Sequence, residues 1–135
     1  MNVIDRSEGR RLVVLCDPPY VERDDWTRVS STMAAVHKAR PDATLLLWYP
    51  IKSWSRPHVM QRALREAGVP GTTLDLITLP LEEKRNRLNG SGLFVSGVSD
   101  ATIDAIATSL HKIGRLCAIR NGRWSLHVDA WRAPV

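Results

Sequence analysis

The sequence predicts an α/β protein with a mainly parallel central sheet in a single domain. A length of 135 residues favours one domain with one core. From residue 11 onward, strand-like and helix-like segments alternate. The strand-like runs, such as "RLVVLCD" at 11–17 and "ATLLLWYPI" at 43–51, are almost continuously apolar, as expected for strands covered on both faces. Buried strands that alternate with helices are typical of a parallel sheet with helices packed against it.

Two helices are predicted in the first half of the chain. The segment 23–39, "RDDWTRVSSTMAAVHKA", has apolar residues at helical spacing, namely Trp26, Val29, Met33 and Val36. A second helix begins near Ser55 and Pro57 and ends at Gly68. Its inward face consists of Met60, Ala63, Leu64 and Ala67.

The second half continues the same alternation. A third strand is predicted at 72–81, a charged loop at 82–92, and a fourth strand at 92–98. A helix follows at 100–114 and is expected to stop at Gly114. Its predicted inward residues are Ile103, Ile106, Leu110 and Ile113.

The chain is predicted to end in a β-hairpin over 116–128, "LCAIRNGRWSLHV". The pair Asn121 and Gly122 is a strong signal for a two-residue hairpin turn, because both residues tolerate positive φ. Such a turn would place Ile119 opposite Trp124 on one face of the hairpin.

The composition is basic, with 19 Lys and Arg against 14 acids, a net charge of +5 and a pI of about 9.8. Arginine binds phosphate well because its planar guanidinium makes bidentate contacts. A small basic domain therefore points to nucleic acid. A basic, solvated surface without such a partner explains the charge equally well.

Other chemistry is disfavoured. No apolar run is long enough to span a membrane, and no signal peptide opens the chain. Cys16 and Cys117 lie in apolar runs, which predicts buried free thiols and a cytoplasmic protein. The four histidines are far apart in sequence, so no metal site is predicted.

The stretch "DPPY" at 17–20 directly follows the first predicted strand. Its two prolines end the strand and stiffen the chain. In α/β sheets ligands bind beyond the carboxyl ends of the strands, where "WYP" at 48–50 is also expected. A carboxylate and a carbonyl at such a corner could accept both hydrogens of an aromatic amino group, while the tyrosine stacks on the base. The structural alternative is a strand end with a capping acid and a packed tyrosine.

Three motifs together resemble the J-type ribosomal RNA methyltransferases. They are "RRLVVLCDPPYVERDDW" at 10–26, "LLLWYPIK" at 45–52 and "LNGSGLFV" at 88–95, in the same order and spacing as in that family. The resemblance implies methylation of an adenine N6 amino group of 23S rRNA, with S-adenosylmethionine as cofactor and RNA as partner. It also implies a Rossmann-like class I methyltransferase fold, of which this chain is the back half of the sheet.

Carried over by motif, the resemblance implies two groups of site residues. The catalytic corner consists of Asp17, Pro18, Pro19 and Tyr20. The substrate pocket adds Trp48, Tyr49, Pro50, Ser91 and Gly92. Two basic loops nearby also suggest RNA contacts, against the alternative of solvated charge runs; their residues are Lys52, Trp54, Arg56, Arg85 and Arg87.

The resemblance further implies that residues 1–135 are a partial methyltransferase domain, without its donor-binding N-terminal half. The first strand would then be an exposed sheet edge, and exposed apolar edges favour pairing. We expect either self-association or a complementary half there. Two alternatives remain: a non-catalytic remnant that binds RNA or a partner, and a DNA adenine methyltransferase fragment. The latter shares "DPPY" but does not account for "WYPIK" or "GSGLF".

Overall fold

A computed structural model describes residues 3–6, 9–83 and 87–133. This part of the chain forms strands and helices in the order α1 (Val3–Arg6), β1 (Val13–Cys16), α2 (Asp25–Ala39), β2 (Thr44–Ile51), α3 (Ser55–Glu66), β3 (Gly71–Ile77), β4 (Gly90–Ser96), α4 (Asp100–Cys117) and β5 (Ser125–Trp131). The predicted alternation of strand and helix is confirmed from β1 to β3. The short helix α1 has no counterpart among the predicted elements.

The strands form one mixed sheet in the order β1-β2-β4-β3-β5. Only β1 and β2 pair in parallel, with Cys16 opposite Leu47. β4 lies between β2 and β3 and is antiparallel to both, and β5 is antiparallel to β3. Consequently β1, β2 and β3 run in the same direction, and their carboxyl ends share one edge of the sheet.

The prediction of a mainly parallel sheet is therefore wrong for three of the four strand pairs. Parallel neighbours need a long crossover, usually a helix, whereas antiparallel neighbours can be joined by a loop. The described part of the loop between β3 and β4 contains no helix, so this connection returns the chain antiparallel. Apolar runs covered on both faces do not reveal strand direction, which explains the error.

The predicted C-terminal hairpin does not form. α4 continues through Gly114 to Cys117, so the segment predicted as the first strand of the hairpin is partly helical. β5 pairs with β3 instead, which places Leu126 opposite Leu76. Gly122 still adopts a turn conformation, with φ of 72°.

Packing of Gly114 against Trp124 explains this outcome. A Cβ atom on Gly114 would lie 2.4 Å from the Trp124 ring, so this glycine allows the ring to pack against the helix and does not end the helix. The indole closes over the helix and leads the chain back to β3. Tertiary contact thus overrides a local turn signal.

The first face of the sheet carries the hydrophobic core, covered by α2 and α3. The four inward residues predicted for α2, Trp26, Val29, Met33 and Val36, are all buried, which confirms that helix and its orientation. They pack against alternate residues of β2 and against β4, namely Leu45, Leu47, Tyr49, Ile51 and Phe94. Burial of each large side chain stabilises the fold by about 1.5–3 kcal/mol.

The second face is covered unevenly. α4 packs over β3 and β5 at one end. At the other end, Val13 and Leu15 of β1 are 60% and 68% exposed. Within the described residues, β1 therefore presents an apolar strip to solvent at this edge of the sheet. Ile113 of α4, which was predicted to face inward, is also exposed.

The prediction of two buried free thiols is confirmed only in part. Both are free thiols, but Cys16 is half-buried and Cys117 is exposed at the end of α4. The buried position predicted for Cys117 depended on the hairpin strand that does not form.

Candidate active site

The "DPPY" corner, Asp17 to Tyr20, follows the carboxyl end of β1 and precedes α2. Asp17 and Pro19 are exposed, whereas Pro18 and Tyr20 are half-buried. The sheet order places this corner beside the carboxyl end of β2. It therefore lies at the predicted edge, with its carboxylate open to solvent.

Tyr20 is held firmly in this corner. Its φ of 51° is a left-handed conformation that costs a non-glycine residue about 1–2 kcal/mol. Its hydroxyl donates a hydrogen bond of 2.8 Å to the carbonyl oxygen of Trp48, and its ring centroid lies 4.6 Å from that of Trp26. Burial, with the nearby Cys16 and Asp17, raises the pKa of Tyr20, so the hydroxyl stays neutral.

A cleft of about 270 Å³ opens beside Tyr20, and we call it the corner cleft. Its lining residues come from the corner, the start of α2, the end of β2, the β2–α3 connection and the first turn of α3: Tyr20, Trp26, Pro50, Lys52, Ser53, Arg56 and Pro57. The walls are aromatic and prolyl, and the rim carries two cations. This combination suits a flat base attached to a phosphate backbone.

Trp26 belongs to this site in addition to the core. Its ring is buried, yet its Nε1–H has no hydrogen-bond partner among the described residues. A buried donor without a partner is costly, and here it belongs to a residue that lines the corner cleft. Helical periodicity identified Trp26 only as a core residue; its position at the start of the helix that follows the corner, six residues after Tyr20, was the available signal.

The predicted substrate-pocket residues do not all lie together. Trp48 contacts Tyr20 edge to face at 6.1 Å between ring centroids, and Pro50 lines the corner cleft. Ser91 lies opposite Pro50 in the register of β4. Tyr49, by contrast, is fully buried in the core, so it does not line the corner cleft.

Gly92 supports Tyr49 and not the corner. It lies opposite Tyr49 on β4, and a Cβ atom there would be 2.0 Å from the Tyr49 ring. Because Gly92 has no side chain, the Tyr49 ring crosses above it and donates its hydroxyl to Asp75 on β3. The glycine predicted for the pocket thus has a packing function in this fold.

The predicted RNA-contact residues divide between two places. Lys52 and Arg56 are exposed on the rim of the corner cleft, and neither forms a salt bridge within the described residues. Trp54 faces away from that cleft and stacks on His58, with 5.6 Å between ring centroids. Arg87 is exposed in the β3–β4 loop, and Arg85 lies outside the described residues.

Asp75 was not identified from the sequence. It is only 5% exposed, in the middle of β3, and burial is the main cause that raises its pKa. An acid inside the apolar run "TTLDLITLPL" was the available signal, because a buried carboxylate needs partners. In the described part of the chain, no group of three or more His, Cys, Asp or Glu residues is placed to hold a metal ion.

The described residues fit an S-adenosylmethionine site only in part. None of β1, β2 and β3, whose carboxyl ends meet at the site edge, is followed directly by glycine, so the glycine-rich loop typical of nucleotide cofactors is missing there. β1 is also an edge strand of the sheet, with β5 at the opposite edge. The described residues therefore do not form a complete site for S-adenosylmethionine at this end of the sheet.

The five-stranded mixed sheet and the acid–proline–proline–tyrosine corner define a class of methyltransferase-like α/β proteins. The family model described as ribosomal RNA large subunit methyltransferase D, RlmJ (RsmJ) matches residues 3–131. The chain belongs to this family, which confirms the resemblance found in its three motifs.

Among solved structures, the chain is similar to protein LPL1258 from Legionella pneumophila str. Philadelphia 1, described under the family DUF519. The TM-score is 0.78 at 17% identity, over 89% of this chain and 43% of that one. The similarity shows a shared fold, and this chain spans less than half of that protein. No curated protein matches the sequence directly. Within the described residues, no helix is both long and apolar enough to cross a bilayer.

Proposed function

We propose that this chain carries the acceptor-binding corner of an S-adenosylmethionine-dependent RNA methyltransferase that modifies an adenine N6 amino group, with 23S rRNA as substrate. The observation that carries the proposal is the corner cleft itself. A fixed tyrosine and two cations without a salt bridge line a space with flat walls at the carboxyl ends of the strands, and the exposed carboxylate of Asp17 lies three residues before that tyrosine. Membership in a ribosomal RNA methyltransferase family supports the same reaction.

The chemistry of an adenine amino group explains why these residue types are suited to it. Its nitrogen lone pair is delocalised into the ring, so the nitrogen is a poor nucleophile. The Asp17 carboxylate and the Pro18 carbonyl would accept its two hydrogens and return electron density to nitrogen. Asp17 would act through hydrogen bonding and charge more than as a strong base. S-adenosylmethionine would supply the methyl group.

Tyr20 and the cationic rim would position the nucleotide. A base inside a helix cannot reach the corner, so the target adenine must leave its stack. The Tyr20 ring, fixed by Trp26 on one side, would offer its remaining surface to that base. Lys52 and Arg56 would hold neighbouring phosphates.

The donor-binding part of the domain would cover β1. The exposure of Val13 and Leu15 and the outermost position of β1 support this proposal, because an apolar edge strand favours pairing. The 43% coverage of the Legionella protein is in keeping with it. A second copy of the chain is the alternative occupant, and light scattering on the purified chain would distinguish a monomer from a dimer.

The test is complementation in cells. Deletion of the gene should remove one N6-methyladenosine from 23S rRNA, measured by mass spectrometry of rRNA nucleosides, and the wild-type gene should restore it. The Asp17→Asn gene should lower the rate of methylation by about 10²- to 10³-fold, because the amide keeps one acceptor oxygen but lacks the negative charge that favours the reacting amino group.

Asp24→Asn is the matched control, since Asp24 is an exposed carboxylate whose side chain caps nothing. It should complement like the wild type. Full methylation by a well-folded Asp17→Asn protein would reject the assignment. A non-catalytic module that binds RNA or a partner through the exposed β1 edge would then be the favoured function.

A further inference from the structure

A second cavity, of about 560 Å³, lies at the same sheet edge as the corner cleft. It is bounded by α3, by β3 and β5, and by the loops that join them, and we call it the β3–β5 cavity. Its volume is within the range of small-ligand sites, about 300–1,000 Å³. Neither the motifs nor the resemblance assigned it a function.

A fixed carboxylate forms its floor. Asp75 lines the cavity although the residue is almost completely buried. The Tyr49 hydroxyl donates to its Oδ1, and Gln61 donates to that hydroxyl over 3.4 Å. A carboxylate has about four acceptor positions, so one donor leaves most of them available. Asp75 is therefore held in place and can still accept further N–H groups.

Aromatic side chains form the walls. Trp54 stacks on His58 with an angle of 10° between ring planes, and it meets His127 edge to face at 5.5 Å. Trp124 lies on the β5 side, fixed above Gly114 of α4. Aromatic rings above a polar floor are suited to a heteroaromatic ring.

The β3–β5 cavity and the corner cleft share one wall. In the β2–α3 connection and the first turn of α3, Lys52, Ser53 and Arg56 line the corner cleft, whereas Trp54 and His58 line the β3–β5 cavity. A strand of nucleic acid that crosses this connection would reach both spaces. The cations Lys52 and Arg56 lie on that route.

We propose that the β3–β5 cavity binds an unstacked guanine of the RNA strand that enters the corner cleft. Guanine fits because its N1–H and exocyclic N2–H₂ are adjacent donors that a single carboxylate can accept together. Trp54 and Trp124 would stack on its faces. The proposal deepens the function proposed above, since it adds a base-specific contact beside the target adenine.

The test uses the purified 135-residue chain and guanosine 5′-monophosphate, followed by NMR of the tryptophan indole N–H signals. We expect the signals of Trp54 and Trp124 to shift at millimolar nucleotide. Asp75→Asn should weaken binding at least about fivefold, because an amide cannot accept both donors. It should keep the fold, since its carbonyl still accepts from Tyr49.

Two controls make the result specific. Asp129→Asn alters another carboxylate of the cavity, one already paired with Arg65, and should leave binding within about twofold. Inosine 5′-monophosphate lacks the 2-amino group and should bind more weakly than the guanine nucleotide.

Three results would overturn the proposal. The first is no shift of either indole signal, and the second is equal binding of the guanine and inosine nucleotides. The third is tighter binding of N-acetyl-arginine amide than of guanosine 5′-monophosphate, which would indicate a protein ligand. Because the assay needs neither a methyl donor nor methylation, its failure would leave the complementation test of Asp17 unaffected.

Discussion

The corner cleft and the β3–β5 cavity lie at one edge of the same sheet but are built differently. Beside the corner cleft the principal acid, Asp17, is exposed, and the preceding strand β1 presents Leu15 to solvent. In the β3–β5 cavity the principal acid, Asp75, is buried and hydrogen-bonded to Tyr49. The acid of the cavity is thus held by this chain's own side chains, whereas the acid beside the cleft is open to solvent.

The two regions are held rigid by different contacts. In the cavity, the Tyr49 side chain of β2 crosses β4 at Gly92 to reach Asp75 on β3, so a substitution in β4 would disturb that contact. The corner depends on the backbone conformation of Tyr20 and on two prolines, and its acid is exposed to solvent. The two regions should therefore respond oppositely to mutation: the cavity in stability, the corner in substrate recognition.

The largest effect on stability is expected for Gly92→Ala. Its added methyl group would overlap the Tyr49 ring and lie 2.6 Å from Asp75 Oδ1. Such overpacking costs about 1–3 kcal/mol in the free energy of unfolding. Urea denaturation would measure it, with Ser91→Ala as the neighbouring control. A Gly92→Ala protein as stable as the wild type would show that the Tyr49–Asp75 contact is not rigid.

Asp75→Asn should change how stability depends on pH. Burial raises the pKa of Asp75 above its ordinary 3.8, while Tyr49, His127 and His58 oppose that rise and Asp129 adds to it. As pH rises from about 4 through the folded-state pKa, the unfolded chain loses this proton first, so ionisation opposes folding.

The wild type should therefore lose stability relative to Asp75→Asn over that window and keep a constant difference above it. Each pH unit between the two pKa values is worth about 1.4 kcal/mol. Urea midpoints of both proteins at a series of pH values would measure the difference. A difference that grows in favour of the wild type with rising pH would contradict the account.

The smallest effect is expected for Tyr20→Phe. The substitution removes the hydrogen bond to the Trp48 carbonyl but keeps the aromatic ring beside Trp26. The free energy of unfolding should fall by about 0.5–1.5 kcal/mol, and complementation should persist. Tyr20→Ala should abolish complementation because the stacking surface is lost. Equal complementation by both variants would exclude Tyr20 from base binding.

Local signals predicted the first half of the fold well. The inward face of α2 and the strands β1 and β2 follow from spacing and apolar runs, which depend only on near neighbours. The corner is positioned by those same elements. It was therefore placed correctly at the carboxyl edge of the sheet.

Features that depend on distant contacts were not predictable in this way. The antiparallel insertion of β4 and the extension of α4 beyond Gly114 depend on pairing and packing across the fold. The motif resemblance implied that Tyr49 lines the pocket, but strand alternation turns its ring to the core face. The buried position of Asp75 was not predicted because its hydrogen-bond partner, Tyr49, lies 26 residues away in sequence.

The central claim is that the corner recognises the amino group of adenine. The most direct measurement is an NMR titration of the ¹⁵N-labelled chain with adenosine 5′-monophosphate, compared with inosine 5′-monophosphate, which has no amino group. We predict amide shifts around Tyr20 and Lys52 with the adenine nucleotide, and their loss in Asp17→Asn. Equal shifts with both nucleotides, or shifts that persist in Asp17→Asn, would contradict the account.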